Sequence, residues 1–184
     1  MGRLPRLVVI LLAMGATVAA TAVAVPAYGA GAAASARANN LKTINEFFKT
    51  MSPDVDRLFA DDAVKEITFA TFTTKDKSPW RWVGKEEIKK NFEANDHRFS
   101  SWNWEHVMVY STQDPNVFWV EADGVGKLTL EGVTRTYTQK NFFVSFNMKD
   151  GKIKRYREIM NPLELIESIG GRVELPPDFS TPKY

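Results

Sequence analysis

The sequence predicts an α+β domain in which one curved antiparallel sheet is covered by N-terminal helices. Three observations predict it. Apolar residues at helical spacing dominate the region before residue 100. From Ser101 the texture changes to long β-branched and aromatic runs, separated by turn signals at Asp114-Pro115-Asn116, Glu131-Gly132 and Asp150-Gly151. No segment repeats, and 184 residues suit a single domain with a real core. Helices followed by hairpin-linked strands is the order expected when helices lie on one face of an antiparallel sheet.

The chain opens on a different texture. Arg3 and Arg6 precede an uncharged, mostly apolar run, Leu7 to Val25, then Pro26 and a stretch of Ala and Gly. This is the order of a secretory signal peptide. Ala34-Ser35-Ala36 and Ala36-Arg37-Ala38 both fit a small-x-small cleavage site, and a cut after Gly29 also fits. Residues 1–38 are therefore read as signal peptide and cleavage region, 39–172 as the domain, and 173–184 as a Pro-rich, extended tail. The alternative for the apolar run is an uncleaved membrane anchor, since it is long enough to span a bilayer. Its Ala, Gly and Thr content favours cleavage and a secreted product.

Within the domain, Leu41, Ile44, Phe47, Phe48 and Met51 recur at helical spacing and predict a first amphipathic helix. Ser52-Pro53-Asp54 starts a second, short one, because Ser caps a helix well and Pro suits its first position. Asp61-Asp62 ends it. Ala63 to Thr73 reads as a strand and Trp80 to Val83 as a short extended piece. Gly84-Lys85-Glu86-Glu87 opens a third helix reaching about Asp96. The long strands are Trp102 to Ser111, Val117 to Leu130, Val133 to Met148 and Lys152 to Ile159. Gly124 and Gly126 interrupt the second and predict a bulge or bend. Pro162 to Ile169 is a last short helix, stopped by Gly170-Gly171.

Composition narrows the chemistry. The formal charge is +2, but Arg3, Arg6 and Arg37 are the only charged residues before Leu41, so the folded part is close to balanced. The one basic run, Lys152 to Arg157, alternates as a strand does and splits its charges over two faces. Without a basic stripe, nucleic acid is not an expected partner. There is no Cys, which excludes disulfides, thiolate metal sites and a Cys nucleophile. His97 and His106 are the only histidines, and no metal-ligand spacing surrounds them. Five Trp and twelve Phe in so short a chain predict an aromatic core or an aromatic-lined pocket.

Two longer motifs carry a resemblance. One runs Gln113-Asp114-Pro115-Asn116-Val117-Phe118-Trp119-Val120-Glu121-Ala122-Asp123-Gly124-Val125-Gly126-Lys127. The other runs Asp150-Gly151-Lys152-Ile153-Lys154-Arg155-Tyr156-Arg157-Glu158-Ile159-Met160-Asn161. With weaker echoes at Ser78-Pro79, Gly84-Lys85 and Trp102-Asn103-Trp104, they resemble the phenazine-biosynthesis PhzA/PhzB family of the NTF2-like and SnoaL-like superfamily. The resemblance implies a conical α+β barrel with a deep pocket, and a homodimer. It implies condensation chemistry on small cyclic acids by acid/base catalysis, with no metal or organic cofactor. Glu158 matches the family's catalytic acid/base. The family's His on the third helix, and its Ser one turn later, fall here on Asn91 and Asn95.

The residues can also be read for themselves. Alternation along the last strand puts Lys154, Tyr156, Glu158 and Met160 on one face, and Ile153, Arg155, Arg157 and Ile159 on the other. A carboxyl among Tyr and Met is partly desolvated, which raises its pKa and lets it give or take a proton near pH 7. Glu158→Gln then leaves stability little changed. The alternative is that Glu158 pairs with Arg155, Arg157 or a Lys of a neighbouring strand. Ile88, Asn91, Phe92 and Asn95 share one helix face, where two amides need partners that a ligand supplies, unless local caps or backbone do. Trp102, Trp104, His106, Met108 and Tyr110 share one strand face by alternation. With Trp80 and Trp82 they are candidates for a pocket wall or for the core. The expected substrate-binding residues are thus Asn91, Asn95, Trp82, Trp104 and Tyr156, around a catalytic Glu158 and a small cyclic organic ligand. Three functions stay open: a cofactor-free acid/base enzyme, a non-catalytic binding protein, and a dimeric scaffold.

Overall fold

The computed structural model describes residues 27–49, 53–69, 75–172 and 174. The apolar run Leu7–Val25, the tail Pro176–Tyr184, Met51, Ser52, residues 70–73 of the first expected strand and residue 74 lie outside the described residues. The elements are α1 (Ala27–Phe47), a 3₁₀ turn (Pro53–Leu58), β1 (Phe59–Ile67), β2 (Trp80–Val83) and α2 (Lys85–Arg98). Then come β3 (Phe99–Ser111), β4 (Val117–Leu130), β5 (Val133–Lys149), β6 (Lys152–Ile159) and α3 (Pro162–Ser168). Among the described residues, no helix is long and apolar enough to cross a membrane.

The strands form one six-stranded sheet in the order β2-β1-β6-β5-β4-β3. Tight turns set the β4–β5 and β5–β6 hairpins. Glu131-Gly132 and Asp150-Gly151 each put two successive residues at positive φ, the geometry whose twist matches paired strands. The expectation of a wholly antiparallel sheet is corrected at one junction, where β1 and β6 run parallel. The β5–β6 hairpin leaves the outer edge of β6 open, and β1, running the same way, fills it. Thr68 N extends that ladder by donating to Glu158 O at 3.0 Å.

Helix and strand bounds shift for local reasons. α1 starts well before Leu41, because the Ala-rich stretch is good helix even without an apolar stripe. Its end does the docking. Arg37 donates to Thr112 O and Asn40 to Pro115 O, while Ile44, Phe47 and Phe48 enter the core. Asp61-Asp62 does not end a helix but lies inside β1, which begins at Phe59.

The long strands bend together, and Asp123 holds the bend. His106 on β3 and Asn141 on β5 are in the left-handed region, at φ 52° and 49°. The β3–β4 and β4–β5 registers both shift there. Asp123 Oδ1 accepts from Asn141 N at 3.1 Å, and Oδ2 from Lys140 Nζ at 3.0 Å, with His106 Nδ1 also 3.0 Å away. These bonds, led by those from Lys140 and His106, hold the Asp123 carboxyl at about 2. Bulges at one level curve a sheet into a cone. They also reverse the alternation, so the expected single face of β3 is corrected. Trp102 and Trp104 face inward, whereas beyond His106 it is Val109 that packs on the core, with Met108 and Tyr110 exposed outside. Lys154 is a similar extra residue in β6. The β5 register passes from Ile153 to Arg155, so both Ile153 and Tyr156 are buried.

Candidate functional site

The concave face of the sheet, α2 and α3 enclose a cavity of about 280 Å³. Its walls are mainly aromatic and aliphatic, with Phe92, Phe99, Trp102, Trp104 and Phe142 among them. A charged pair sits at its β1–β6 end. Lys65 on β1 is 2% exposed, and its Nζ lies 3.1 Å from Oε1 of Glu158, which is 13% exposed. The parallel register produces the pair. Lys65 stands beside Tyr156 and Ile67 beside Glu158, so side chains from the two strands meet on the inner face.

Lys65 is held from α2 as well. Its Nζ donates to Asn91 Oδ1 at 2.7 Å, and the rings of Phe92, Trp82 and Tyr156 lie 4.8, 5.1 and 5.8 Å from it. Aromatic faces stabilise a cation that has lost its water. Burial pushes the Tyr156 phenol well above its ordinary value, and the neighbouring Glu158 carboxylate adds to this. Tyr156 is therefore a proton donor in neutral solution, not an anion.

Of the partners weighed for Glu158, the Lys of a neighbouring strand is the one found, on a buried rather than a solvated face. Arg155 and Arg157 turn to the outer face, where both hydrogen-bond Glu66 Oε2, Arg155 Nη2 at 2.7 Å and Arg157 Nε at 3.1 Å. Glu158 is left to Lys65. Of the two readings, a lone desolvated carboxyl and a carboxyl paired with a neighbouring-strand Lys, the second describes Glu158, and the pair sits against an apolar-walled cavity.

The other expected residues divide. Asn95, Trp104 and Tyr156 line the cavity together with Glu158, as does Trp80. Asn91 and Trp82 do not. They lie on the far side of Lys65 and line an outer groove between β2 and α2, which Asn95 and Arg98 also border. The Asn91 amide oxygen is engaged by Lys65, so its place on the helix stripe serves the ammonium. Sequence reasoning missed Lys65, whose signal was a single basic residue at an inward position between Ala63 and Ile67. It also missed Gln139, polar and fully buried on β5.

At the β3–β5 side, Tyr137 of the cavity wall meets the uncharged, buried Gln139. Tyr137 OH donates to Gln139 Oε1 at 2.8 Å, and burial raises the Tyr137 phenol, with Glu158 and Glu164 adding to it. Trp102 lies flat over Gly124 and Gly126. A Cβ at Gly124 would come 2.4 Å from its Cζ2, and one at Gly126 2.8 Å from its Cε3. The glycines read as strand interruptions are the bed of this indole. Trp102 Nε1 and Gln139 Nε2 are buried and have no hydrogen-bond partner among the described residues.

A bulge-bent α+β sheet around an apolar cavity, with a carboxylate and an ammonium at one end, defines a class of small pocket proteins. The chain belongs to the phenazine biosynthesis protein A/B family, whose model matches residues 25–176. Phenazine biosynthesis protein PhzB1 of Pseudomonas aeruginosa is 33% identical over 136 residues, covering 72% of this chain and 82% of that protein. PhzA1 of the same organism is 34% identical over 113 residues, covering 61% and 67%. The crystal structure of the phenazine biosynthesis-related protein PhzB2 from Pseudomonas aeruginosa superposes with a TM-score of 0.74 at 30% identity, over 84% of this chain and all of that one. A protein with a ketosteroid isomerase-like fold from Catenulispora acidiphila shares the fold alone, with a TM-score of 0.52 at 13% identity over 73% of this chain and 91% of that one.

Proposed function

We propose that this protein is a cofactor-free acid/base catalyst acting on a small cyclic substrate in phenazine-like secondary metabolism, with Glu158 as the group that moves the proton. The observation that supports it is the placement of the Glu158 carboxylate beside a buried ammonium in an apolar, aromatic-walled cavity. Such a carboxylate takes a proton from a ring carbon next to a carbonyl. Lys65 stays within hydrogen-bond reach and balances the charge as Glu158 passes between its two states. The walls exclude water, which strengthens each of these interactions. Asn95 and Trp104 hold the ring, and keto–enol isomerisation and aldol-type cyclisation or condensation begin with this step.

The experiment is α-proton exchange of a cyclic ketone, 2-tetralone, in D₂O, followed by NMR with wild-type protein and with Glu158→Gln. Exchange faster than buffer, lost by roughly 10²–10⁴-fold in the variant, supports the reading. Equal rates with both proteins overturn it.

A second reading rests on Asn91. With its amide oxygen engaged by Lys65 and no imidazole beside Glu158, the cavity binds a ligand without turning it over. Binding of 2-tetralone with no exchange above buffer separates this from catalysis. In both readings the protein is exported by its N-terminal segment, and two copies associate through the outer face of β3, β4 and β5.

A further inference from the structure

We propose that Trp102 Nε1 and Gln139 Nε2 form a subsite that takes the uncharged carbonyl oxygen of a flat ring ligand, at the end of the cavity away from Lys65 and Glu158. The inference rests on the cavity being the ligand site proposed above. It begins with a row of paired residues. Trp104 stands opposite Gly124 on β4, and Gly124 opposite Gln139 on β5. Trp102, Gly126 and Tyr137 form the next row. With no side chain at either glycine, the Trp102 indole fills both gaps. Its Cε2, the carbon bonded to Nε1, lies 3.4 Å from where a Gly124 Cβ would be. The indole N–H is thereby brought to the row that carries Gln139.

The amide is fixed too. Tyr137 gives its one proton to Gln139 Oε1, which leaves Nε2 as the free end. Gln139 is fully buried, and Tyr137 and Trp102 both line the cavity. Two buried N–H donors without partners are an unfavourable arrangement in a folded interior, unless an acceptor completes them. Neither donor carries charge. An anionic oxygen would leave water for two uncharged donors, while the buried cation of the cavity already faces Glu158 and the other lining cation, Arg98, is exposed and borders the outer groove as well. A ketone, quinone or lactam oxygen meets both donors at far lower desolvation cost. The cavity's aromatic walls suit a flat ring behind it.

The test uses matched probes, 1-tetralone and tetralin, which differ by one carbonyl. Dissociation constants come from calorimetry. The indole ¹⁵N–¹H resonance of Trp102, assigned with Trp102→Phe, gives a local readout. Two hydrogen bonds to the ketone predict about ten- to a hundredfold tighter binding of tetralone than of tetralin, with a downfield shift of that resonance for tetralone alone. Gln139→Met removes most of the preference and leaves tetralin binding intact. The double variant Tyr137→Phe/Gln139→Met removes the stranded hydroxyl as well, and is at least as heat-stable as wild type in the absence of ligand. Equal binding of the two probes by wild-type protein, or an unchanged preference in Gln139→Met, overturns the donor pair while leaving the cavity a ligand site. Failure of both probes to bind overturns the subsite and the cavity reading together.

Discussion

Lys65 Nζ and Glu158 Oε1 meet at 3.1 Å across the parallel β1–β6 junction, and among the described residues each has the other as its ion-pair partner. Breaking such a pair from one side strands a charge. Glu158→Gln is therefore expected to lower stability by about 3–5 kcal/mol, because Lys65 is left buried with Asn91 alone. The double variant Lys65→Met/Glu158→Gln removes both charges and recovers most of that loss. Chemical denaturation of the single and double variants measures the coupling. Additive effects would remove the ion pair from the account, and would restore the expectation that Glu158→Gln is neutral.

The bend at Asp123 makes the fold sensitive to acid. The folded-state carboxyl titrates at about 2, below its ordinary value. Its contribution is thus fully present above pH 4 and is lost as pH falls from about 4 toward 2, because the unfolded chain then binds the proton more readily. Melting temperature is expected to drop through that window in wild-type protein and to drop less in Asp123→Asn. Parallel curves for the two proteins would show that the bulges do not depend on this charge.

Outside the cone, Tyr110 pairs across the ladder with Trp119, and Glu121 with Phe143, so that exposed rings and the Met108 side chain share one face. A dimer through that face buries them. Sedimentation at micromolar concentration should give twice the monomer mass, and Trp119→Lys should give monomers that retain the fold by circular dichroism. Wild-type monomers would remove the dimer.

The N-terminus offers a sharper choice than the small-x-small rule. Arg37 Nη1 donates to Thr112 O at 2.8 Å and Nη2 to Gln113 O at 3.3 Å, tying α1 to the β3–β4 turn. A mature chain that keeps this contact begins at Arg37 or earlier. N-terminal sequencing of protein from the culture medium checks it. A start at Asn39 would show the contact to be dispensable, and full-length protein confined to the cytoplasm would end the export reading.

The sequence carried the architecture where the signals were local. Turn chemistry at Glu131-Gly132 and Asp150-Gly151 placed β4 and β6 at their observed bounds, and Pro162 marked the start of α3, where Asn161 Oδ1 accepts from Leu163 N at 3.1 Å. What stayed hidden depends on residues distant in the chain. Alternation carried through His106 and Lys154 gave the wrong faces, because a bulge is set by its neighbours across the ladder and not by its own residue type. Glu158 was legible from its strand. A Lys of a neighbouring strand was weighed as its partner, but which Lys was not legible, because Lys65 reaches it only through a parallel pairing that periodicity does not announce. Asn91 looked like a ligand contact for the same reason: the cation that occupies it comes from β1, distant in the chain.

That parallel junction also orders events in time. Glu66 on β1 and Arg155 on β6 lie 89 residues apart, whereas the β4–β5 and β5–β6 turns close over a few positions. Hairpins form in microseconds, and a contact across so long a loop waits until they have made a surface to land on. β1 emerges early from the ribosome and has no sheet neighbour but β2 until the last strand is made. The Lys65–Glu158 pair is thus the latch of the fold: it exists only in a chain that has reached Glu158. In kinetic terms, Lys65→Met should speed unfolding and leave the folding rate nearly unchanged in stopped-flow refolding. A slowed folding rate would place the junction in the nucleus instead.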